Sequence, residues 1–175
     1  AVECDKYDGQ PDAKGKVKIA YRKDEVRLQK LMQARLELVN AGQWIDGKND
    51  ESGLLKYWGL FLNSRNTSLF EKLPKEPFLG QVAFYAGAYA ERAGQFEQAD
   101  KYFDIAMQDP EWAEKAQNAK FEVAGKNLKT QADTLRYIGQ LKELYTQKNC
   151  EVAFSVLCKL YSSSNMTKDL NALVE

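Results

Sequence analysis

Gly87-Ala88-Tyr89-Ala90-Glu91-Arg92-Ala93-Gly94-Gln95-Phe96-Glu97-Gln98-Ala99, continued by Phe103, Ala106 and Asp109-Pro110, is the stretch whose reading decides the fold. Ala86, Gly87, Ala90 and Ala93 lie three or four residues apart, so on a helix they share one face. Ala99, Phe103 and Ala106 do the same on the next segment. Gly94 supplies the glycine expected just past a helix C-terminus, where a left-handed residue lets the chain reverse. Asp109-Pro110 then reads as an N-cap followed by proline in the first turn of a third helix. The prediction is a small-residue helical hairpin with a second break beyond it.

Outward from the hairpin toward the N-terminus, Asn63 to Pro77 is the main break, with Asn66-Thr67-Ser68, two prolines and a short helical turn around Leu69 to Leu73. Ahead of it a helix from about Glu51 to Asn63 is apolar nearly all round, through Leu54, Leu55, Tyr57, Trp58, Leu60, Phe61 and Leu62. Such a helix is central and buried, or carries an interface. Gln43 to Asn49 is predicted as a loop whose Trp44 and Ile45 fold back onto the core. Asp24 caps a helix with Leu28, Leu31, Met32, Leu38 and Val39 at helical spacing, ending at Gly42. Residues 1–16, with Gly9, Pro11 and Gly15, read as an irregular arm.

Toward the C-terminus, a helix from Pro110 to about Leu128 carries Trp112, Ala116, Ala119, Val123 and Ala124 on one side. Thr130 to Asp133 resembles a capping box and opens a helix bearing Leu135, Ile138, Leu141, Leu144 and Tyr145. Gln147-Lys148-Asn149 is a turn before a helix containing the last two cysteines. Ser162 to Asn165 is another turn, and a short helix closes the chain. No alternating stretch bounded by hairpin turns competes with this pattern. The expected fold is all-α, an arm over 1–16 and one helical domain of stacked antiparallel hairpins over 17–175, with a break near 63–77.

Residues 80–113 resemble the tetratricopeptide repeat, a two-helix unit of ~34 residues with recurring small and aromatic positions. Aligned on Ala99, Gly87 takes the first-helix glycine position, Gly94 and Phe96 fall in the turn, and Phe103 and Ala106 take the second-helix aromatic and alanine positions. The chain departs from the family at Ala83, Ala86 and Ala90, where tryptophan, leucine and tyrosine are usual, and Pro110 comes one residue early. The resemblance implies a superhelix or solenoid whose first helices line a concave groove that receives partner peptides. By that alignment Gln81, Phe84, Ala88, Glu91 and Arg92 face the groove. Family members that clamp a terminal carboxylate use lysine and asparagine at two of these positions, here Phe84 and Ala88. The resemblance therefore implies an apolar or mixed contact.

A chain of 175 residues is long enough to bury a sizeable core. The formal net charge of zero gives no global attraction for nucleic acid or an anionic membrane. No apolar run approaches the ~18 residues that span a bilayer. Histidine is absent, which excludes serine–histidine and cysteine–histidine nucleophiles and histidine-ligated metal sites. Phosphate-binding glycine loops are missing too, so no cofactor is expected. The start Ala1-Val2-Glu3-Cys4 is what signal-peptide cleavage after a small residue leaves, and it raises the expectation of a periplasmic or secreted protein. Export permits a disulfide. Within one helix Cys150 and Cys158 would stand ~12 Å apart along the axis, beyond the ~7 Å a bridge allows. A pairing of Cys4 with Cys150 or Cys158 is therefore favoured. The two triplets Asn66-Thr67-Ser68 and Asn165-Met166-Thr167 match the glycosylation pattern at about the chance rate and carry no argument.

Seven aromatics, Phe78, Phe84, Tyr85, Tyr89, Phe96, Tyr102 and Phe103, crowd the hairpin and its approach. They exceed what one small hairpin hides if alanine and glycine already line its inner contact, so Tyr85 joins the expected partner-binding face. Against this stands Glu51-Ser52-Gly53, which looks like the Glu-Ser start of the lytic transglycosylase motif. That motif's downstream Asn-Pro and Gly-Leu-Met-Gln segments are absent. A general-acid glutamate also needs an apolar pocket, whereas a glutamate in a first helical turn is favoured by the dipole alone. The leading expectation is a non-enzymatic module that binds another protein, namely a secreted toxin, a cell-wall hydrolase or an envelope component. The alternative is a peptidoglycan-acting enzyme using Glu51.

Overall fold

A computed structural model describes residues 2–17, 19–48, 50–70, 76–148 and 150–174. In chain order its helices are α1 (Val2–Asp8), α2 (Ala20–Lys23), α3 (Glu25–Asp46), α4 (Glu51–Arg65) and α5 (Leu79–Arg92). There follow α6 (Phe96–Ala106), α7 (Ala113–Lys126), α8 (Gln131–Lys148), α9 (Glu151–Ser163) and α10 (Thr167–Val174). No strand occurs among the described residues, and the protein is all-α.

The hairpin of α5 and α6 forms as its small residues demand. Ala83, Ala86 and Ala90 on α5 and Ala99, Phe103 and Ala106 on α6 are fully buried. A Cβ on Gly87 would come within 2.6 Å of the Phe103 ring, so only glycine lets the helices approach this closely. Gly94 has φ 72°. Its own N–H donates to Glu91 O at 2.9 Å, and the Gln95 N–H donates to Ala90 O at 2.8 Å. Together these satisfy two of the orphan carbonyls of the helix end. The end of α9 repeats the device with Asn165 at φ 55°, where the Met166 N–H donates to Tyr161 O at 2.9 Å.

On the N-terminal side α4 packs between α3 and α5. Leu54, Phe61 and Leu62 are fully buried and Trp58 nearly so, which is the central placement its all-round apolar pattern predicts. Asp50 caps α4, accepting from the Gly53 N–H at 2.9 Å, and Asp24 caps α3, accepting from the Arg27 N–H at 3.1 Å. Gly42 is not the end of α3. The helix runs through it to Asp46, because Gly42 is the place where the Trp58 indole lies against the α3 backbone and a Cβ would come within 2.2 Å of the indole nitrogen. The indole nitrogen donates to Val39 O at 3.1 Å. Trp44, expected to fold onto the core, is 64% exposed with the Lys48 ammonium 3.3 Å above its ring, while Ile45 does pack against the core.

The break after α4 is fastened by charge. Arg35 is buried and paired with Glu76; it donates to Ser64 Oγ at 2.8 Å and to Phe61 O at 3.1 Å, and it stacks 4.2 Å from the Phe61 ring centroid. Leu69 and Phe70 are buried beside it. The rest of the turn expected up to Leu73 lies outside the described residues. The arm is also more ordered than its glycines suggest, since residues 2–8 are helical. Asp5 is buried, accepts from Arg22 Nε at 2.6 Å and from Ser68 Oγ at 2.9 Å, and so ties α1 to α2 and to the turn after α4. Burial pushes its carboxyl up, but those two hydrogen bonds outweigh burial and hold it below the usual carboxylate range.

C-terminal to the hairpin, α7 starts at Ala113 rather than at Pro110; residues 107–112 form turns in which Asp109 accepts from the Glu111 N–H at 3.1 Å. Thr130 and Asp133 make the capping box that opens α8, with the Asp133 N–H on Thr130 Oγ1 at 3.1 Å. Gln147 and Lys148 belong to α8, and Asn149 lies outside the described residues. A second core of Ile138, Leu141, Ala153, Val156, Leu157 and Tyr161 centres on α9, which packs on both α7 and α8. Tyr137 of α8 donates to Phe121 O of α7 at 2.7 Å, and burial pushes its hydroxyl up to about 12. The expected disulfide is not made: Cys4, Cys150 and Cys158 are all free. Cys4 is held on α1 beside α2 and Ser68, whereas Cys150 opens α9 and Cys158 sits two turns along that same helix.

Candidate functional site

Both α3 and α5 pack on α4, and between them lies a cleft of about 570 Å³. Helical spacing builds its walls. Leu36, Val39, Asn40, Gln43 and Asp46 recur every three or four residues along α3. Phe78, Gln81, Val82, Tyr85 and Tyr89 do the same along α5 and its approach, and Trp58 of α4 forms the floor. The walls are mixed: apolar rings and aliphatic chains alternate with neutral amides, and one carboxylate stands at the end. Tyr85 extends the aromatic surface beyond the cleft, with ring centroids 5.7 Å from both Phe84 and Trp112.

A smaller pocket of about 170 Å³ adjoins the cleft and shares Asp46 and Tyr89 with it. Asp50, Glu51, Leu54 and Arg92 complete it. The Tyr89 hydroxyl donates to the Asp46 carboxylate, and that bond holds the hydroxyl above the usual tyrosine range. Arg92 lies over the Tyr89 ring at 4.2 Å and pairs with Glu51 at 3.1 Å. Three carboxylates and one guanidinium thus line the same pocket, and Asp50 is also the cap of α4. Among the described residues no group of three side chains is arranged to hold a metal ion.

The residues expected on the groove divide. Gln81 and Tyr85 line the cleft, and Arg92 stands at its acidic end. Phe84 turns the other way, half-buried with its centroid 5.8 Å from Phe103 and 5.2 Å from Trp112, where it joins α5 to α6 and α7. Glu91 binds Lys126 of α7 at 2.6 Å, and Ala88 is half-buried. Of the other aromatics, Tyr102 and Phe103 are core and Phe96 packs against it. Leu36, Asn40, Gln43 and Trp58 are lining residues that the hairpin reading misses, because they belong to helices outside it. Glu51 does not sit in the apolar pocket a general acid requires. Its side chain is 45% exposed and faces Arg92, Asp46 and Asp50.

No protein-family model, curated protein or solved structure matches the chain. No helix among the described residues is long and apolar enough to cross a membrane.

Proposed function

We propose that the chain is a non-enzymatic binding module of tetratricopeptide-like build, whose α3–α5 cleft receives a segment of a partner protein. The observation that carries this reading is the cleft itself: a concavity between two helices that face each other over α4, with Trp58, Tyr85 and Tyr89 in its lining. Buried aromatic anchors with arginine at the edge are the chemistry that dominates protein interfaces. The α5–α6 hairpin, with its glycine contact and reversing Gly94, supports the likeness to the repeat, as does the successive packing of α3 through α7. An inhibitor or immunity-type protein for a secreted toxin or cell-wall hydrolase, and an envelope assembly factor, remain the roles within this proposal. Glu51, paired and solvent-facing, favours a structural over a catalytic part.

Site-specific photocrosslinking tests the reading. A photoreactive residue at Tyr85 should give a discrete adduct in an extract of the source envelope, and one at Leu60, exposed on α4, should not. Equal adducts at both positions would contradict it. So would peptidoglycan turnover that Glu51→Gln abolishes.

A further inference from the structure

The cleft's two compartments carry different chemistry, and together they specify more than a protein partner. Its main chamber offers neutral polar groups: Gln43 on one wall and Gln81 on the other are exposed and bind nothing else among the described residues. Asn40 donates to Glu37 at 3.2 Å, which leaves its carbonyl oxygen open. Facing amides of this kind satisfy the unpaired N–H and C=O groups that an extended chain brings with it and a helix does not. The α3 wall from Leu36 to Asp46 is ~15 Å long at the helical rise, which matches four or five extended residues. The chamber then opens into the smaller pocket, where Asp46, Asp50 and Glu51 outnumber the one cation, Arg92. The floor contributes apolar contact and no charge.

We propose, resting on the binding-module reading above, that the cleft takes an extended segment of its partner and directs one lysine or arginine side chain into the Asp46–Asp50–Glu51 pocket. The incoming cation approaches the Asp46 and Glu51 carboxylates, which Tyr89 and Arg92 already hold in place. The aliphatic stem of such a side chain lies against Leu54 and the Tyr89 ring, as amphipathic cationic side chains do. Charge complementarity therefore selects a basic residue at one end of the segment and excludes an acidic one.

The test pans a random nonapeptide phage library on the whole protein. Selected peptides, synthesised with blocked termini, are then titrated by fluorescence anisotropy against the parent and two variants. Asn40→Trp fills the chamber; Asp46→Asn with Glu51→Gln removes two charges while keeping the contacts to Tyr89 and Arg92. Asp46→Asn alone serves if the double variant melts early. The expected result is a lysine or arginine enriched at one fixed position, binding weakened about tenfold or more in the charge variant, and binding abolished by Asn40→Trp. Peptides that Asn40→Trp abolishes but that show no basic preference, or bind the charge variant as well as the parent, overturn this proposal and leave the cleft reading standing. Peptides indifferent to Asn40→Trp, or no selected peptide at all, overturn both.

Discussion

The two sides of α5 teach different lessons about the same helix. Toward α6 it shows Ala83, Ala86, Gly87 and Ala90, all buried, and Phe103 fills the space so fully that one added carbon would collide with it. Toward α3 it shows Gln81, Tyr85 and Tyr89, and the neighbouring helix stands off across a cleft of about 570 Å³. A helix closed on one side by its smallest residues and open on the other with large ones has its packing face and its proposed recognition surface separated by a half-turn. Substitutions on the first side should read out as stability, and those on the second as binding.

The largest expected effect lies on the closed side. Gly87→Leu should destabilise the domain by about 2–4 kcal/mol in urea unfolding, because it overpacks a contact already at its limit. Next comes Phe84→Ala, which should cost about 2 kcal/mol of stability, since Phe84 is wedged against Phe103 and Trp112 rather than presented to a partner. A binding loss without a stability loss at Phe84 would show that it faces outward after all.

A third prediction contrasts the α5–α6 seam, closed by apolar packing, with the link from α8 to α7 that the Tyr137 hydroxyl makes to Phe121 O. Burial raises that hydroxyl to about 12, so the folded state holds its proton more tightly than the unfolded chain, which releases it near 10. Its contribution to stability is therefore complete below pH 10 and is lost as pH rises from 10 through 12. Tyr137→Phe should flatten that part of the stability–pH curve relative to the parent; an unchanged slope would place the hydroxyl in water.

The smallest stability effects belong to the open side. Gln81→Ala should leave unfolding free energy within about 0.5 kcal/mol of the parent, whereas Tyr85→Ala also gives up its ring contacts with Phe84 and Trp112 and should cost about 1 kcal/mol. Both should weaken partner or peptide binding, Tyr85→Ala by about 1–3 kcal/mol. Isothermal titration with a crosslinked partner or selected peptide, beside urea melts of the same samples, separates the two quantities.

What was legible in the sequence follows the same division. The α5–α6 hairpin could be read because its determinants are local: spacing of small residues, a reversing glycine and a break. Gly42 was misread as a helix end because glycine marks both stops and close contacts, and only Trp58, arriving from another helix, shows which. Residues 2–8 were read as irregular from the glycines and proline that follow them, while their helix draws on long-range partners, Arg22 and Ser68, that no local pattern contains. The site was half legible. Gln81, Tyr85 and Arg92 were expected on a groove, but its second wall on α3 has no motif of its own. Glu51 and Arg92, read as parts of rival functions, form one ion pair at the cleft's end. The cysteine pairing failed because it assumed a meeting of chain ends that the helical packing does not bring about.

The central claim, that α5 is sealed toward α6 and open toward α3, is tested most directly by comparing urea unfolding of Gly87→Leu with that of Val82→Phe. Val82 and Gly87 are both buried, yet Val82 borders the cleft, so the larger phenylalanine ring has space to enter. The account predicts that Val82→Phe stays within about 1 kcal/mol of the parent while Gly87→Leu loses about 2–4. Equal losses at the two positions would mean that α5 is closed on both sides and that there is no open cleft to bind anything.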